Sequence, residues 1–103
     1  MKNVKEVVFS PEAESQLVAL YEYIAARASP TIAEAFTGAI LERCEQLGEL
    51  PMVGRARDDL RRGLRTVPFR KRIVIAYSVG AKAVTVLAIF YGGQDYESLL
   101  RED

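Results

Sequence analysis

The chain has 103 residues, half of them apolar, which is enough for one domain with its own hydrophobic core and without disulfides or a structural metal. A single cysteine, Cys44, excludes an internal disulfide, and the absence of histidine removes the commonest general base and metal ligand. The sequence shows no basic-then-apolar leader and no apolar run of the roughly 20 residues that a membrane helix needs, so we expect a cytoplasmic protein with no membrane partner.

Charge is balanced overall but segregated along the chain. Residues 6–49 carry eight glutamates and two arginines, a net −6, whereas residues 55–72 carry eight cations against Asp58 and Asp59, a net +6. Most of these cations are arginines, whose planar guanidinium groups suit carboxylates and phosphates. The pattern favours a partner that bears such groups; the alternative is a solvated surface on which the charges happen to segregate.

Two helices are predicted in the first half, after a short strand at Val4–Phe9. Ser10-Pro11 and Ser29-Pro30 each provide a capping hydroxyl followed by proline at the first helical position, so the helices run to about Ala28 and from Pro30 to about Leu47. The first apolar stripe consists of Ala13, Leu17, Leu20, Tyr21, Ile24 and Ala28. The second consists of Ile32, Ala35, Phe36, Ala39, Ile40, Cys44 and Leu47. The short link makes the helices antiparallel neighbours, and Cys44 is interpreted as a core residue.

Gly48 and Pro51 are expected to end the second helix, and three strands are predicted after it. A turn at Pro51–Gly54 leads to strands at Gly63–Val67, Arg70–Ser78 and Ala83–Tyr91, and Pro68 limits the first to an edge or a bulge. Asp95–Arg101 is a short tail of one or two helical turns. The expected fold class is α+β, with an N-terminal strand and an antiparallel helical hairpin packed on one face of a mostly antiparallel sheet (βααβββ), in a single domain over residues 1–103.

Both faces of the central hairpin are apolar. Ile73, Ile75 and Tyr77 alternate with Val74 and Ala76, whereas a strand with one wet face should alternate apolar and polar residues. Two helices cover only one face. The other needs a cover, which is either the chain's own tail, through Tyr96, Leu99 and Leu100, or an amphipathic segment of a partner chain, and each could cover a different part.

Few catalytic arrangements are open to this sequence. No carboxylates have metal-ligand spacing and no phosphate-binding loop is present, so we expect no cofactor, no metal and no small-molecule substrate. Arginine, lysine and tyrosine remain. A nuclease that uses Arg65, Arg72 and Tyr91 is conceivable, although arginine is a poor proton shuttle and tyrosine needs a lowered pKa to act as a base.

Four strings carry a resemblance to a known family. They are FSPEAESQL at Phe9–Leu17, LGELPMVGR at Leu47–Arg55, GLR at Gly63–Arg65 and GQDYESLL at Gly93–Leu100. In their order and spacing the chain resembles a ParE-type toxin of the ParE/RelE superfamily from Val8 to Leu100. The resemblance implies a small cytoplasmic bacterial protein, encoded beside an antitoxin, with a helical hairpin on an antiparallel sheet.

The resemblance also implies candidate functions. ParE members poison DNA gyrase, RelE members cleave mRNA on the ribosome, and the antitoxins wrap an amphipathic C-terminal segment over the toxin. The first hypothesis is therefore a non-enzymatic, plasmid-stabilisation type toxin that binds gyrase and is neutralised by a ParD-like antitoxin. The alternatives are a ribosome-dependent endoribonuclease using Arg65, Arg72 and Tyr91, and a partner-binding module without toxicity.

The partner contact is expected to combine apolar insertion over the sheet with acidic groups near the arginines. The predicted partner-binding residues are Arg55, Arg57, Arg61, Arg62, Arg65, Arg70, Arg72, Tyr96 and Leu99.

Overall fold

A single five-stranded sheet organises the molecule, in a computed structural model that describes residues 4–92 and 95–101. The elements in chain order are β1 (Glu6–Phe9), α1 (Pro11–Arg27), α2 (Pro30–Glu49), β2 (Arg55–Ala56), β3 (Leu64–Phe69), β4 (Ile73–Val79), β5 (Ala83–Tyr91) and α3 (Tyr96–Leu100). The strand order is β1-β5-β4-β3-β2; β1 runs parallel to β5 and the other pairs are antiparallel. The predicted α+β class is confirmed. Gly93 and Gln94, which begin the last matched string, lie outside the described residues.

Both helices start where the capping signals place them. Ser10 Oγ accepts a hydrogen bond from Ala13 N at 3.1 Å, and Ser29 Oγ accepts one from Ile32 N at 3.1 Å. The second helix, however, continues through Gly48 to Glu49 instead of ending near Leu47. Gly48 is needed for a close approach: its carbonyl accepts from Lys5 N at 2.9 Å, and a Cβ there would collide with the carbonyl of Lys5. The glycine thus lets β1 pass against α2.

The buried face of α2 differs from the predicted stripe at its N-terminal end. Ala33, Ile40, Cys44 and Leu47 are buried, whereas Ile32 and Ala35, expected on the stripe, are exposed. One residue is about 100° around an α-helix, so the face that holds Ala33 and Ile40 turns Ile32 towards solvent. The prediction failed there because Ala33 and Ala35 have the same hydropathy, so the sequence pattern alone does not show which of them faces the core.

This difference can be tested with two matched substitutions on α2. Ile40→Ala should lower the free energy of unfolding by about 2–5 kcal/mol because Ile40 is fully buried and its truncation leaves a cavity. Ile32→Ala, at a residue 55% exposed, should change it by about 0.5 kcal/mol or less. Urea unfolding of both variants measures the contrast, and equal costs would contradict the assigned face.

The central hairpin β4–β5 is apolar on both faces, as predicted. Ile73, Ile75 and Tyr77 belong to the core beneath the helices, whereas Ala76 lies in a second cluster on the opposite face. A bulge in β5 shifts the register between Ala76 and Tyr77, which pair with Ala88 and Val86. The bulge leaves both ends of β5 facing the same core.

The chain's own tail seals part of the second face. The second cluster consists of the buried residues Leu60, Leu64, Ala76, Ala88, Phe90 and Leu100. The ring of Tyr96 packs against that of Phe90, with centroids 6.0 Å apart. Of the two expected covers, the tail therefore occupies the part of this face that includes Ala88 and Phe90 of β5 and Ala76 of β4.

The basic region contains structure that the sequence pattern missed. β2 is a two-residue strand whose Arg55 pairs with Thr66 of β3. Arg70–Arg72, expected to begin a strand, instead forms the β3–β4 turn, with Arg70 and Lys71 in the left-handed region at φ of 49° and 65°. Pro68 lies within β3 beyond the residues that β2 pairs, so it stands on an open edge, as proline requires.

The loop between α2 and β2 is fixed from below by one buried hydroxyl. Tyr77 Oη donates to Pro51 O at 2.8 Å and accepts from Gly54 N at 2.8 Å. Arg65 Nη1 adds hydrogen bonds to Gly54 O at 2.7 Å and Met52 O at 3.3 Å. A Cβ at Gly54 would collide with the Tyr77 hydroxyl, so the glycine is required here. Four hydrogen bonds thus define the path of residues 51–54.

Removing the Tyr77 hydroxyl should destabilise the folded protein. Tyr77→Phe should lower the free energy of unfolding by about 1–3 kcal/mol, because the Gly54 N–H is left buried without an acceptor. Urea unfolding and amide exchange at Gly54 measure the effect. Tyr23→Phe, which removes a hydroxyl from a half-exposed ring on α1, is the matched control, and a similar loss in both variants would contradict the clamp.

Candidate partner-binding surface

An arginine-edged cleft lies on the part of the second sheet face that the tail leaves open. It has a volume of about 250 Å³, and its lining residues are Arg55, Arg57, Thr66, Pro68, Val74 and Tyr96. The register explains why they meet: Arg55 pairs with Thr66, and Pro68 pairs with Val74, so four of them share one face of β2, β3 and β4. The cleft combines an apolar floor with two guanidinium groups, a hydroxyl and an aromatic wall.

Arg57 connects this cleft to the tail. Its Nη2 lies 2.8 Å from Asp59 Oδ2 and 2.6 Å from Glu97 Oε2, and its Nε donates to Asp59 Oδ1 at 3.0 Å. The hydrogen bond from Arg57 lowers the pKa of Asp59 to about 2, and the two carboxylates raise the pKa of Arg57. Glu97 belongs to α3, so the ion pair ties the tail to the residues that follow β2.

The remaining predicted arginines separate into exposed and structural ones. Arg55, Arg62, Arg70 and Arg72 are exposed. Arg65 is half-buried and holds the 51–54 loop through its two carbonyl contacts. Arg70 lies over the rings of Phe69 and Phe36 on the helical side, with its Cζ 5.0 and 5.5 Å from the two centroids.

Arg61 occupies a different place, beside the tail. It lines a cavity of about 200 Å³ with Glu12, Gln16 and Leu99, and its buried Nε has no hydrogen-bond acceptor among the described residues. Leu99 is 61% exposed there, while Tyr96 is half-buried against Phe90. The nine predicted partner-binding residues therefore do not form one continuous patch. Arg55, Arg57 and Tyr96 line the cleft, Arg61 and Leu99 line the second cavity, Arg65 and Arg70 contact the loop and two rings, and Arg62 and Arg72 are exposed outside both cavities.

Arg65, Arg72 and Tyr91 do not meet at one site. Gly92 N donates to Arg72 O at 3.0 Å, so Arg72 lies at the end of the hairpin near Tyr91. Arg65 pairs with Tyr77, however, and Tyr91 pairs with Ile73, four residues away on β4. At about 3.3 Å per residue, that offset is roughly 13 Å along the strand, in addition to two strand spacings of about 4.8 Å each.

Sequence reasoning did not single out Thr66, Asp59 or Glu97. Thr66 is buried in the cleft opposite Arg55, and the two carboxylates hold Arg57. Glu97 follows the capping residue Asp95 in the first turn of α3. An acidic residue there indicates a helix start, but it does not reveal an ion pair with Arg57, 40 residues away in the chain.

Across residues 4–92 and 95–101, no group of three or more acidic, cysteine or histidine side chains could hold a metal ion. Nor does any helix of that part of the chain have the length and apolarity to cross a membrane.

Comparison with known proteins identifies the family. A sequence model described as the ParE toxin of the type II toxin–antitoxin system parDE matches residues 7–96. The chain belongs to the ParE toxin family. It is a ParE-type toxin of a type II toxin–antitoxin system, which implies an antitoxin partner. Among solved structures, a chain of the chromosomal ParDE system from P. aeruginosa shares the fold, with a TM-score of 0.76, 20% identity, and coverage of 87% of this chain and 98% of that one. Comparison with curated proteins finds no match.

The family match encloses the cleft. Residues 7–96 include every lining residue from Arg55 to Tyr96, and they exclude Glu97, Leu99 and Leu100. The arginine edge of this ParE-family chain therefore lies within the residues that the family model matches. The ion pair with Glu97 and the final seal at Leu100 lie outside it.

The Arg57–Asp59 pair should make the free energy of unfolding depend on pH. Asp59 has a folded-state pKa of about 2, below its ordinary value of 3.8, so its contribution to stability is present above 3.8 and is lost as the pH falls through about 2. Asp59→Asn should therefore unfold at lower urea than the wild type at pH 7, and the gap should close between pH 4 and 2. Glu45→Gln, at an exposed carboxylate on α2, is the control. A gap that persists unchanged at pH 2 would contradict the assignment.

Proposed function

We propose that this ParE-family chain is a non-enzymatic cytoplasmic toxin that binds and poisons DNA gyrase, and that a ParD-like antitoxin neutralises it on the second face of the sheet. The observation that carries the antitoxin part is the divided second face. The tail covers one part, and another part is a cleft with an apolar floor, a tyrosine wall and two arginines. An amphipathic segment with acidic side chains matches both the floor and the edge.

Two features support binding over catalysis. Arg57 is already paired with two carboxylates. Of the endoribonuclease candidates, Arg72 lies near Tyr91, but Arg65 on β3 is separated from Tyr91 on β5 by β4. A nuclease needs groups within hydrogen-bonding reach of the same phosphate. Poisoning a macromolecule requires only a surface that fits its target.

The decisive experiment compares two reactions after expression of the chain without its antitoxin. Growth arrest with trapped, cleaved DNA in a purified gyrase assay, and with intact mRNA, is the expected outcome. Ribosome-dependent mRNA cleavage that is lost in Tyr91→Phe would instead establish the endoribonuclease. Normal growth with retained antitoxin binding would leave a partner-binding module without toxicity.

The electrostatic contribution of the cleft can be measured through association rates. Arg55→Glu should slow association with the co-expressed cognate antitoxin by about tenfold or more at low salt and reduce the salt dependence of the rate, because edge charges mainly steer encounter. Arg55 is the appropriate position because it is exposed in the cleft, whereas Arg65 has a structural role.

The matched control for Arg55→Glu is Lys82→Glu. It makes the same change of charge at an exposed residue in the β4–β5 turn, outside the cleft. Surface plasmon resonance at several salt concentrations separates association from dissociation rates. A wild-type rate that does not depend on salt, or equal effects of the two variants, would contradict the electrostatic contribution of the cleft.

A further inference from the structure

The loop between α2 and β2 exposes three large apolar side chains side by side. Leu50, Met52 and Val53 are 63%, 64% and 52% exposed, and with Glu49 and Pro51 they line one shallow depression. Consecutive exposed apolar residues are costly to keep on a surface unless something binds them. The packing of the fold does not require them, because they belong to neither buried cluster.

The backbone of this loop is held more firmly than a connection requires. The Tyr77 hydroxyl joins Pro51 O to Gly54 N, and Arg65 binds the carbonyls of Met52 and Gly54. Two further backbone bonds, from Leu50 N to Gln46 O and from Val53 N to Leu50 O, continue the path from the helix. A loop ordered before contact loses little conformational freedom on binding, so its exposed side chains can contribute their full apolar area.

The charges around the loop indicate what it would contact. Arg65 lies at the base of the loop, where its Nη1 donates to the carbonyls of Met52 and Gly54. Arg55, exposed, follows directly. Glu49, the one carboxylate in the depression, disfavours an anionic lipid surface. Three exposed apolar side chains with Arg65 beneath them and Arg55 after them fit an apolar pocket that has carboxylates at its border, which is the chemistry of a protein surface.

The loop and the arginine cleft lie on opposite sides of the sheet. Tyr77, which anchors the loop, belongs to the core on the helical side, whereas Thr66, Pro68 and Val74 line the cleft on the second face. None of the loop residues lines the cleft, so a segment lying in the cleft need not cover them. We infer that the loop Leu50–Val53 is the surface by which this toxin docks into an apolar, carboxylate-bordered pocket of its protein target, separately from the antitoxin site.

This inference rests on the proposed function, and a pair of triple variants tests it. Leu50→Ala/Met52→Ala/Val53→Ala removes the exposed side chains of the loop. Val18→Ala/Ile32→Ala/Leu41→Ala removes three exposed apolar side chains from α1 and α2 and is the matched control. All six residues are exposed, from 39% for Leu41 to 64% for Met52, so both variants should fold, which urea unfolding verifies.

We expect the loop variant to arrest growth no more than an empty vector, and to bind purified gyrase at least tenfold more weakly than the wild type. The control variant should stay within twofold of the wild type. Both should still co-purify with the cognate antitoxin. Tyr77→Phe keeps the three apolar side chains but loosens the loop, so at a temperature where it is folded it should show a smaller loss of gyrase binding.

Other outcomes would overturn the inference. A folded loop variant that arrests growth like the wild type would show that the loop does not dock the target. Loss of antitoxin binding with retained arrest would assign the loop to the antitoxin, and wild-type binding to phosphatidylglycerol vesicles that the loop variant loses would assign it to a membrane. If the wild type itself does not arrest growth, the proposed function fails first and the inference fails with it. That result is recognisable because wild type and variants are then alike.

Discussion

The constraint on which this structure depends is that the β4–β5 hairpin is apolar on both faces. Such a hairpin is stable in water only if both faces are covered, because each exposed apolar side chain forfeits the free energy of its burial. The helical hairpin covers one face, over Ile75, Tyr77 and Val86. The opposite face, with Ala76, Ala88 and Phe90, receives Leu60, Leu64 and Leu100. The molecule is therefore three layers deep at β5 and less completely covered at β2 and β3, where the tail contributes Tyr96 to the wall of the cleft and Glu97 to the ion pair with Arg57. The candidate binding cleft is located there because of that difference in cover.

The same hairpin determines how the first strand joins the sheet. β1 pairs with β5 only as far as Phe9 and Val86, after which α1 begins, and β5 continues for five more residues. Ser10, the capping residue of α1, donates its hydroxyl to Leu87 O at 2.9 Å, and Ile89 N donates to Gln16 Oε1 at 2.6 Å. Side chains of the helix thus replace the missing strand at this edge. An edge satisfied in this way is less available to another chain, which is one reason to place partner binding elsewhere.

How much the sequence predicts depends on how local each feature is. The helix starts at Ser10 and Ser29 and the hairpin at β4–β5 follow from neighbouring residues, and they were predicted at or near their observed positions. The parallel pairing of β1 joins residues about 77 apart, as Glu6 and Ala83 show, and no local pattern encodes it. The strand β2 has only two residues, Arg55 and Ala56, which is too short to show the alternation of apolar and polar residues by which strands are predicted. Among the site residues, arginine identity predicted a cationic surface, but only tertiary contacts show that Arg65 holds a loop and Arg70 lies over two rings, whereas Arg55 lines the cleft.

This division of the arginines changes what the positive charge can do. Of the seven arginines between residues 55 and 72, Arg65 is committed to internal hydrogen bonds and Arg57 to two carboxylates. The charge available to a partner is consequently smaller than the net +6 of the segment. Exposed charges contribute mainly to the rate and specificity of association, whereas tight binding comes from apolar area that is buried without loss of order. An interaction of this toxin that is both tight and specific therefore needs an apolar surface beside its arginines, and the chain presents two, the floor of the cleft and the clamped loop at Leu50–Val53, on opposite sides of one sheet.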